Sequence, residues 1–213
     1  MTHAALRPGA TIGIIGGGQL GRMSAMAAAR LGFHVHIYAS QANCPAGEVA
    51  RRVCVGAYDD ADALRAFAAE VDVVTFEFEN VSAKGLMVLE ELRPVRPSRA
   101  ILAISQDRIA EKTCLSEINV VIAPWYPVHD RAELDAAADA LGHRLILKTT
   151  RFGYDGKGQY RGLAPDDLAA LPTVMPYPLV AEGLVAFDRE LSVMVARGVD
   201  GTTRCFDVTQ NIH

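Results

Sequence analysis

Short apolar runs alternate with longer amphipathic stretches along the N-terminal part of the chain. Thr11 to Ile15 reads as a short apolar strand, with Val35 to Tyr38, Arg52 to Val55 and Val71 to Phe78 as further strands. Gln19 to Leu31 is rich in alanine and methionine and predicts a helix, and Gly32 is a natural stop for it. Asp60 to Glu70 places Ala63, Leu64, Phe67 and Ala68 at helical spacing. Lys84 to Leu92 predicts another helix, ending before Arg93-Pro94. Strands alternating with helices imply an α/β domain whose mainly parallel sheet is covered on both faces.

Arg96-Pro97-Ser98 marks a boundary, which divides the chain into residues 1–98 and 99–213. Beyond it, Arg99 to Glu117 predicts one or two helices. Ala123-Pro124-Trp125-Tyr126-Pro127 is a proline-flanked extended crossing and a second candidate boundary. Arg131 to Leu141 is an amphipathic helix, and Leu145-Ile146-Leu147 is a short buried strand that ends at Lys148. Leu179 to Glu182, Glu190 to Ala196 and Cys205 to Val208 read as strands, with turns at Gly183 and Asp200-Gly201. The chain stops at Thr209-Gln210-Asn211-Ile212-His213, directly after a strand-like run. The expectation is that a longer protein has been cut there.

Composition narrows the function classes. A chain of 213 residues, half of them hydrophobic, has enough apolar surface for a packed core and does not read as disordered. A net charge of −4 argues against a nucleic-acid partner, while local basic clusters leave small anionic substrates open. Cys44, Cys54, Cys114 and Cys205 form no C-x-x-C pair and read as reduced, mostly buried thiols of a cytosolic protein. No signal-peptide core and no apolar run of about 18 residues is found, so a soluble cytoplasmic protein with no membrane partner is expected.

Two glycine motifs carry the candidate chemistry. Three residues after Lys148 comes Arg151-Phe152-Gly153-Tyr154-Asp155-Gly156-Lys157-Gly158-Gln159, a cationic loop whose backbone can approach a ligand closely. A strand-end lysine beside such a loop suits a polyphosphate. It is not a Walker A loop, because no Ser or Thr follows Lys157. Near the N-terminus, Gly16-Gly17-Gly18-Gln19-Leu20-Gly21 satisfies G-x-G-x-x-G between a strand and a helix. The second strand ends in Tyr38-Ala39-Ser40-Gln41, with no acid for an NAD ribose and no arginine for NADP, which counts against a dinucleotide. Close helix–strand packing and a phosphorylated small molecule remain as readings of these glycines. Glu77 and Glu79 sit at the end of the fourth strand, and strand alternation puts both on one side. They contact a ligand there, or are solvated or cap the next helix, although Asn80 and Ser82 already offer caps.

Five segments occur in a telling order. They are Gly16 to Met23, Thr75-Phe76-Glu77-Phe78-Glu79-Asn80-Val81, Gln106-Asp107-Arg108, Ala123-Pro124-Trp125 and Gly153 to Gln159. Together they resemble the 5-(carboxyamino)imidazole ribonucleotide synthase family, ATP-grasp ligases of purine biosynthesis, from about Thr11 to His213. The resemblance implies a Rossmann-like pre-ATP-grasp domain over 1–98, then an incomplete ATP-grasp domain over 99–213 with an α+β lid at about 124–185. It also implies the reaction. ATP phosphorylates bicarbonate to carboxyphosphate, which, directly or through carbon dioxide, carboxylates the amine of aminoimidazole ribonucleotide. The alternative is another ATP-grasp ligase, such as a formate-dependent glycinamide ribonucleotide transformylase.

The same resemblance assigns residues. Arg108 and Lys148 match nucleotide-binding cations, and Gly153, Tyr154, Asp155, Gly156, Lys157, Gly158 and Gln159 match the loop over the ATP phosphates. Tyr154, Asp155 and Lys157 are the implied catalytic residues, placed to reach bicarbonate or the imidazole as well. Glu182, Gly183, Leu184 and Val185 match a hinge that contacts adenine through its backbone, Glu190 matches the ribose acid, and His213 matches a histidine near the nucleotide. Gly18, Gln19, Leu20 and Glu77 match the ribonucleotide site. Related transformylases carry Glu in place of Gln19, and an amide suits a weakly basic aminoimidazole. No segment matches the family's magnesium ligands, so these are expected beyond His213 and the 213 residues alone are expected to be inactive. A homodimer is expected for the full-length protein.

Overall fold

The computed structural model describes residues 5–153, 157–162, 165–172 and 175–212. Strands β1 (Thr11–Ile15), β2 (His34–Ala39), β3 (Arg52–Val55) and β4 (Val73–Phe76) form a parallel sheet in the order β3-β2-β1-β4. Side chains alternate across each strand, so neighbouring residues enter different cores. Ile14 and Ile37 pack with Ala25 and Ala28 of α1 (Gln19–Arg30). Ile15 and Tyr38 pack on the opposite face with Leu64 and Phe67 of α2 (Ala61–Ala69) and with Leu86 and Leu89 of α3 (Ala83–Glu90). The sheet is thus covered on both faces, as the α/β pattern predicts.

Tyr38 and Phe67 anchor the second of these cores. Their rings meet edge to face at 5.4 Å, and the Tyr38 hydroxyl donates to the Ala57 carbonyl at 2.8 Å. Burial pushes the Tyr38 phenol up to about 12, so this donor keeps its proton at any physiological pH.

Side-chain caps set the helix starts. Asp60 accepts from the Asp62 and Ala63 amides, and the Ser82 hydroxyl accepts from Gly85. The stretch Arg99 to Glu117 divides into α4 (Arg99–Ser105) and α5 (Arg108–Glu117). Asp107 makes the break, because its carboxylate accepts from the Ile109 and Ala110 amides and starts a new helix.

Strands β5 (Trp125–Val128), β6 (Leu145–Thr149), β7 (Gln159–Gly162) and β8 (Leu179–Gly183) form an antiparallel sheet in the order β5-β8-β6-β7. Pro127 is tolerated because β5 lies at the edge. Leu145 and Leu147 pack with Leu134 and Ala137 of α6 (Arg131–Ala140) and Leu168 of α7 (Pro165–Ala169). Neither β7 nor α7 is evident in the sequence. Each is short and largely polar, and β7 is a strand because β6 lies beside it. Gly183 ends β8 instead of forming a turn.

The last predicted strands are corrected. Glu190 to Ala196 divides into β9 (Glu190–Ser192) and β10 (Val195–Arg197). Only Cys205 of the predicted Cys205–Val208 strand is in one, β11 (Thr203–Cys205); residues 206–208 cross to β12 (Thr209–Asn211). The strands pair antiparallel as β10-β11 and β9-β12, so the chain changes partner within Glu190 to Ala196 and again between Cys205 and Thr209. Leu191, Met194, Val195, Phe206 and Val208 are all exposed there.

Phe67→Ala is expected to lower unfolding stability by about 3–5 kcal/mol, through lost burial and the cavity left behind. Urea melts check this, and a loss under about 1 kcal/mol would show that Phe67 does not anchor the core.

Candidate active site

The first glycine motif is built around Glu77. Gly16, with φ +112°, turns the chain out of β1, and Gly18 precedes α1 without a side-chain cap. Glu77 follows β4, the neighbour of β1, and supplies the missing acceptor from 59 residues away. Its carboxylate accepts from the Gly18 amide at 2.8 Å and the Gly21 amide at 3.0 Å. The protein's own anion therefore occupies the helix terminus where a dinucleotide fold seats pyrophosphate. A Cβ on Gly16 would lie 2.3 Å from Glu77 Cγ, so the glycine makes room for this carboxylate.

Beside Glu77 lies a cavity of about 310 Å³, lined by Gly17, Gly18, Ser40, Gln41 and Tyr58 among others. Gln19 and Leu20 are exposed on the first turn of α1. Glu79 does not share this cavity. It lines another of about 290 Å³ with Arg108, Glu111 and Gly153. The expectation that both acids share one side is corrected, because β4 ends at Phe76 and strand alternation stops there.

The second motif sits against β6. Lys148 lies opposite Val180 of β8, which makes Glu182 its diagonal neighbour on the same face. Lys148 Nζ donates to Glu182 Oε2 at 2.7 Å, and Lys112 Nζ from α5 reaches Oε1 at 3.1 Å. Glu182 is only 9% exposed. Burial pushes its carboxyl up, but the two ammonium groups outweigh this and hold it below the usual value. The expected backbone hinge thus also carries a paired, buried side chain. Lys112 was not singled out from the sequence. Its signal is the four-residue spacing from Arg108, which places both cations on one face of α5.

Arg108 Nη2 donates to the Gly153 carbonyl at 3.3 Å, and its amide donates to Thr150 at 3.0 Å. Gly158, with φ +68°, accepts from the Thr149 amide at 2.9 Å, and Gln159 pairs with Lys148 in the ladder. A Cβ on Gly158 would lie 2.4 Å from Thr149 Oγ1. Arg108, Lys148, Gly153, Gly158, Gln159 and Glu182 therefore gather where β6 and β7 meet α5. Lys157 is exposed on the same loop. Tyr154, Asp155, Gly156 and His213 lie outside the described residues. Leu184 and Val185 are exposed beyond β8, and Glu190 accepts from Asn211 at 2.8 Å across the β9-β12 pair.

Two side-chain contacts hold the turn between α4 and α5. The Gln106 side-chain Nε2 donates to the Val81 carbonyl at 2.7 Å, and the Arg151 side chain lies 3.5 Å from the Asp107 carboxylate.

Glu182 makes stability depend on pH. Its folded pKa lies below the ordinary 4.5, so its contribution is full above that value and fades as pH falls through the lowered one. Melts across this range are expected to show an acid limb that Glu182→Gln flattens. An unchanged limb would remove Glu182 as its source. Gly16→Ala is expected to destabilise by at least about 1–3 kcal/mol from backbone strain alone, and equal stability in urea would refute the close approach of Glu77.

Residues 9–106 match the family described as the ribonucleotide synthetase preATP-grasp domain, and residues 113–213 match the ATP-grasp domain. The chain is 50% identical over 216 residues to the N5-carboxyaminoimidazole ribonucleotide synthase of Brucella melitensis, matching 100% of this chain and 60% of that protein. The Staphylococcus aureus N5-carboxyaminoimidazole synthetase complexed with ADP superimposes with a TM-score of 0.92 at 36% identity, over 98% of this chain and 56% of the other. The Aspergillus clavatus enzyme in complex with ADP and 5-aminoimidazole ribonucleotide gives 0.85 at 27% identity, over 97% and 54%. The chain therefore spans somewhat more than half the length of these relatives. With the two domains matched in order over residues 9–106 and 113–213, and with relatives matched over essentially the whole chain, the chain belongs to the N5-carboxyaminoimidazole ribonucleotide synthase family of ATP-grasp proteins.

Proposed function

We propose that the full-length protein carboxylates 5-aminoimidazole ribonucleotide to 5-(carboxyamino)imidazole ribonucleotide, using ATP and bicarbonate and releasing ADP and phosphate, in purine biosynthesis in the cytoplasm. The observation that carries this reading is the gathering of Lys148, Arg108, Gly153, Gly158 and Gln159 at the end of β6. Arg108 and Lys148 offer fixed positive charge to phosphate oxygens. Backbone amides of the loop add donors that need no reorganisation as charge develops in phosphoryl transfer.

In the reaction, a bicarbonate oxygen attacks the terminal phosphorus of ATP, and ADP leaves. The carboxyl group of the resulting carboxyphosphate then passes to the exocyclic amine, with loss of phosphate. Tyr154, Asp155 and Lys157 are the residues assigned to this region. Glu182, Gly183, Leu184 and Val185 take adenine, with Glu190 at the ribose and His213 near the nucleotide. Gly18, Gln19, Leu20 and Glu77 take the ribonucleotide, for which the cavity beside Glu77 gives space.

Among the described residues, no group of three or more His, Cys, Asp or Glu side chains is placed to hold a metal ion, and the magnesium ligands are assigned beyond His213. No step is therefore derived through magnesium. Among the described residues, no helix is long and apolar enough to cross a membrane. A homodimer belongs to the same reading, and sedimentation of the full-length protein checks it.

Magnesium-ATP and aminoimidazole ribonucleotide are expected to raise the melting temperature of the full-length protein, and NADH is not. Stabilisation by NADH without ATP would overturn the assignment. Lys148→Ala is expected to weaken ATP binding roughly ten- to hundredfold, the loss of one charge-assisted contact; unchanged affinity in calorimetry would remove Lys148 from the site. The 213-residue chain alone is expected not to turn over these substrates, and release of ADP by it would refute that part.

A further inference from the structure

We infer that Lys112 is a positioning residue for nucleotide binding: from α5 it holds the Glu182 carboxylate in place and charged, so that Lys148 stays oriented yet able to meet phosphate. This rests on the reading of Lys148 as a phosphate ligand.

The argument begins with charge. Lys148 and Glu182 alone make a neutral pair, and a neutral pair gives a polyphosphate little attraction. Lys112 adds a second ammonium on the other carboxylate oxygen, 3.1 Å away, and leaves the trio with a net positive charge. Next comes satisfaction of buried groups. Glu182 is buried, so a carboxylate left without a cation would be costly. When Lys148 also donates to phosphate, its charge is shared between the two anions, and Lys112 remains on Glu182 and covers that cost.

Exposure separates the two lysines. The Lys112 side chain is 12% exposed and that of Lys148 is 20% exposed. Lys148 also pairs with Gln159 of the glycine loop, whereas Lys112 stands on α5 one turn beyond Arg108. A lysine carries three donors, so Lys148 keeps two for a ligand while one holds Glu182. Lys148 is the residue with access, and Lys112 acts through the carboxylate.

The test measures ADP affinity of the full-length protein by calorimetry across pH. Lys112→Met is expected to weaken ADP binding roughly tenfold, and Lys112→Arg to restore most of it. Among the described residues, the charged groups facing Glu182 are Lys148 from β6 and Lys112 from α5, so loss of Lys112 moves the acid limb of the binding profile to higher pH. In a Glu182→Gln background, the Lys112→Met penalty is expected to shrink below about threefold. An equal penalty in that background means direct contact with the nucleotide and overturns the inference, as does unchanged affinity in Lys112→Met alone. Lys112→Gln supplies the same comparison if the Met variant does not fold. If Lys148→Ala leaves ADP affinity unchanged, the reading of Lys148 fails. If Lys148→Ala weakens binding and Lys112→Met does not, only the present inference fails.

Discussion

A single buried carboxylate joins the parts around the second glycine motif. Glu182 stands on β8, takes Lys148 from β6 and takes Lys112 from α5. Without it, two ammonium groups would face each other in a poorly hydrated interior, and α5 would lose its ionic link to the antiparallel sheet. Arg108 rides on the same helix and reaches Gly153, so the helix that Glu182 holds also holds the start of the glycine loop. Strand pairing places Lys148 and Glu182 on one face, and burial makes their pairing obligatory.

The other side of the molecule uses an acid for a different purpose. The Glu77 carboxylate caps the start of α1 by accepting from Gly18 and Gly21. A G-x-G-x-x-G sequence normally advertises a site for a diphosphate at this point. Here the chain fills that site with its own negative charge, and the cavity opens beside the carboxylate. The missing acid after Tyr38 and the presence of Glu77 are two views of one fact. This glycine turn is not built for a dinucleotide. It leaves a carboxylate at the rim of a cavity.

Much of this was legible in the chain itself. The four parallel strands, their covering helices and the strand ending at Lys148 follow from short apolar runs and helical spacing, because burial on both faces of a sheet leaves that mark. Whether Arg99 to Glu117 forms one helix or two stays open in the sequence, and the Asp107 carboxylate decides it by accepting from the next amides. The misses have a common cause. Strand β7 is polar and is a strand only because β6 lies beside it. The strands from Glu190 onward divide where the chain changes partners, which no local pattern records. Glu79 parts from Glu77 because β4 ends at Phe76, and strand ends depend on the neighbouring strand.

The sequence by itself determined the family, the two kinds of sheet and the cations and glycines that suit phosphate, because periodicity and residue chemistry are local properties. Only the tertiary structure decided what those groups do to one another. That Glu77 closes the first glycine turn depends on β4 lying next to β1. That Lys112 shares Glu182 with Lys148 depends on α5 packing against the second sheet. Charges brought together from distant parts of the chain interact strongly only when folding has removed the water between them.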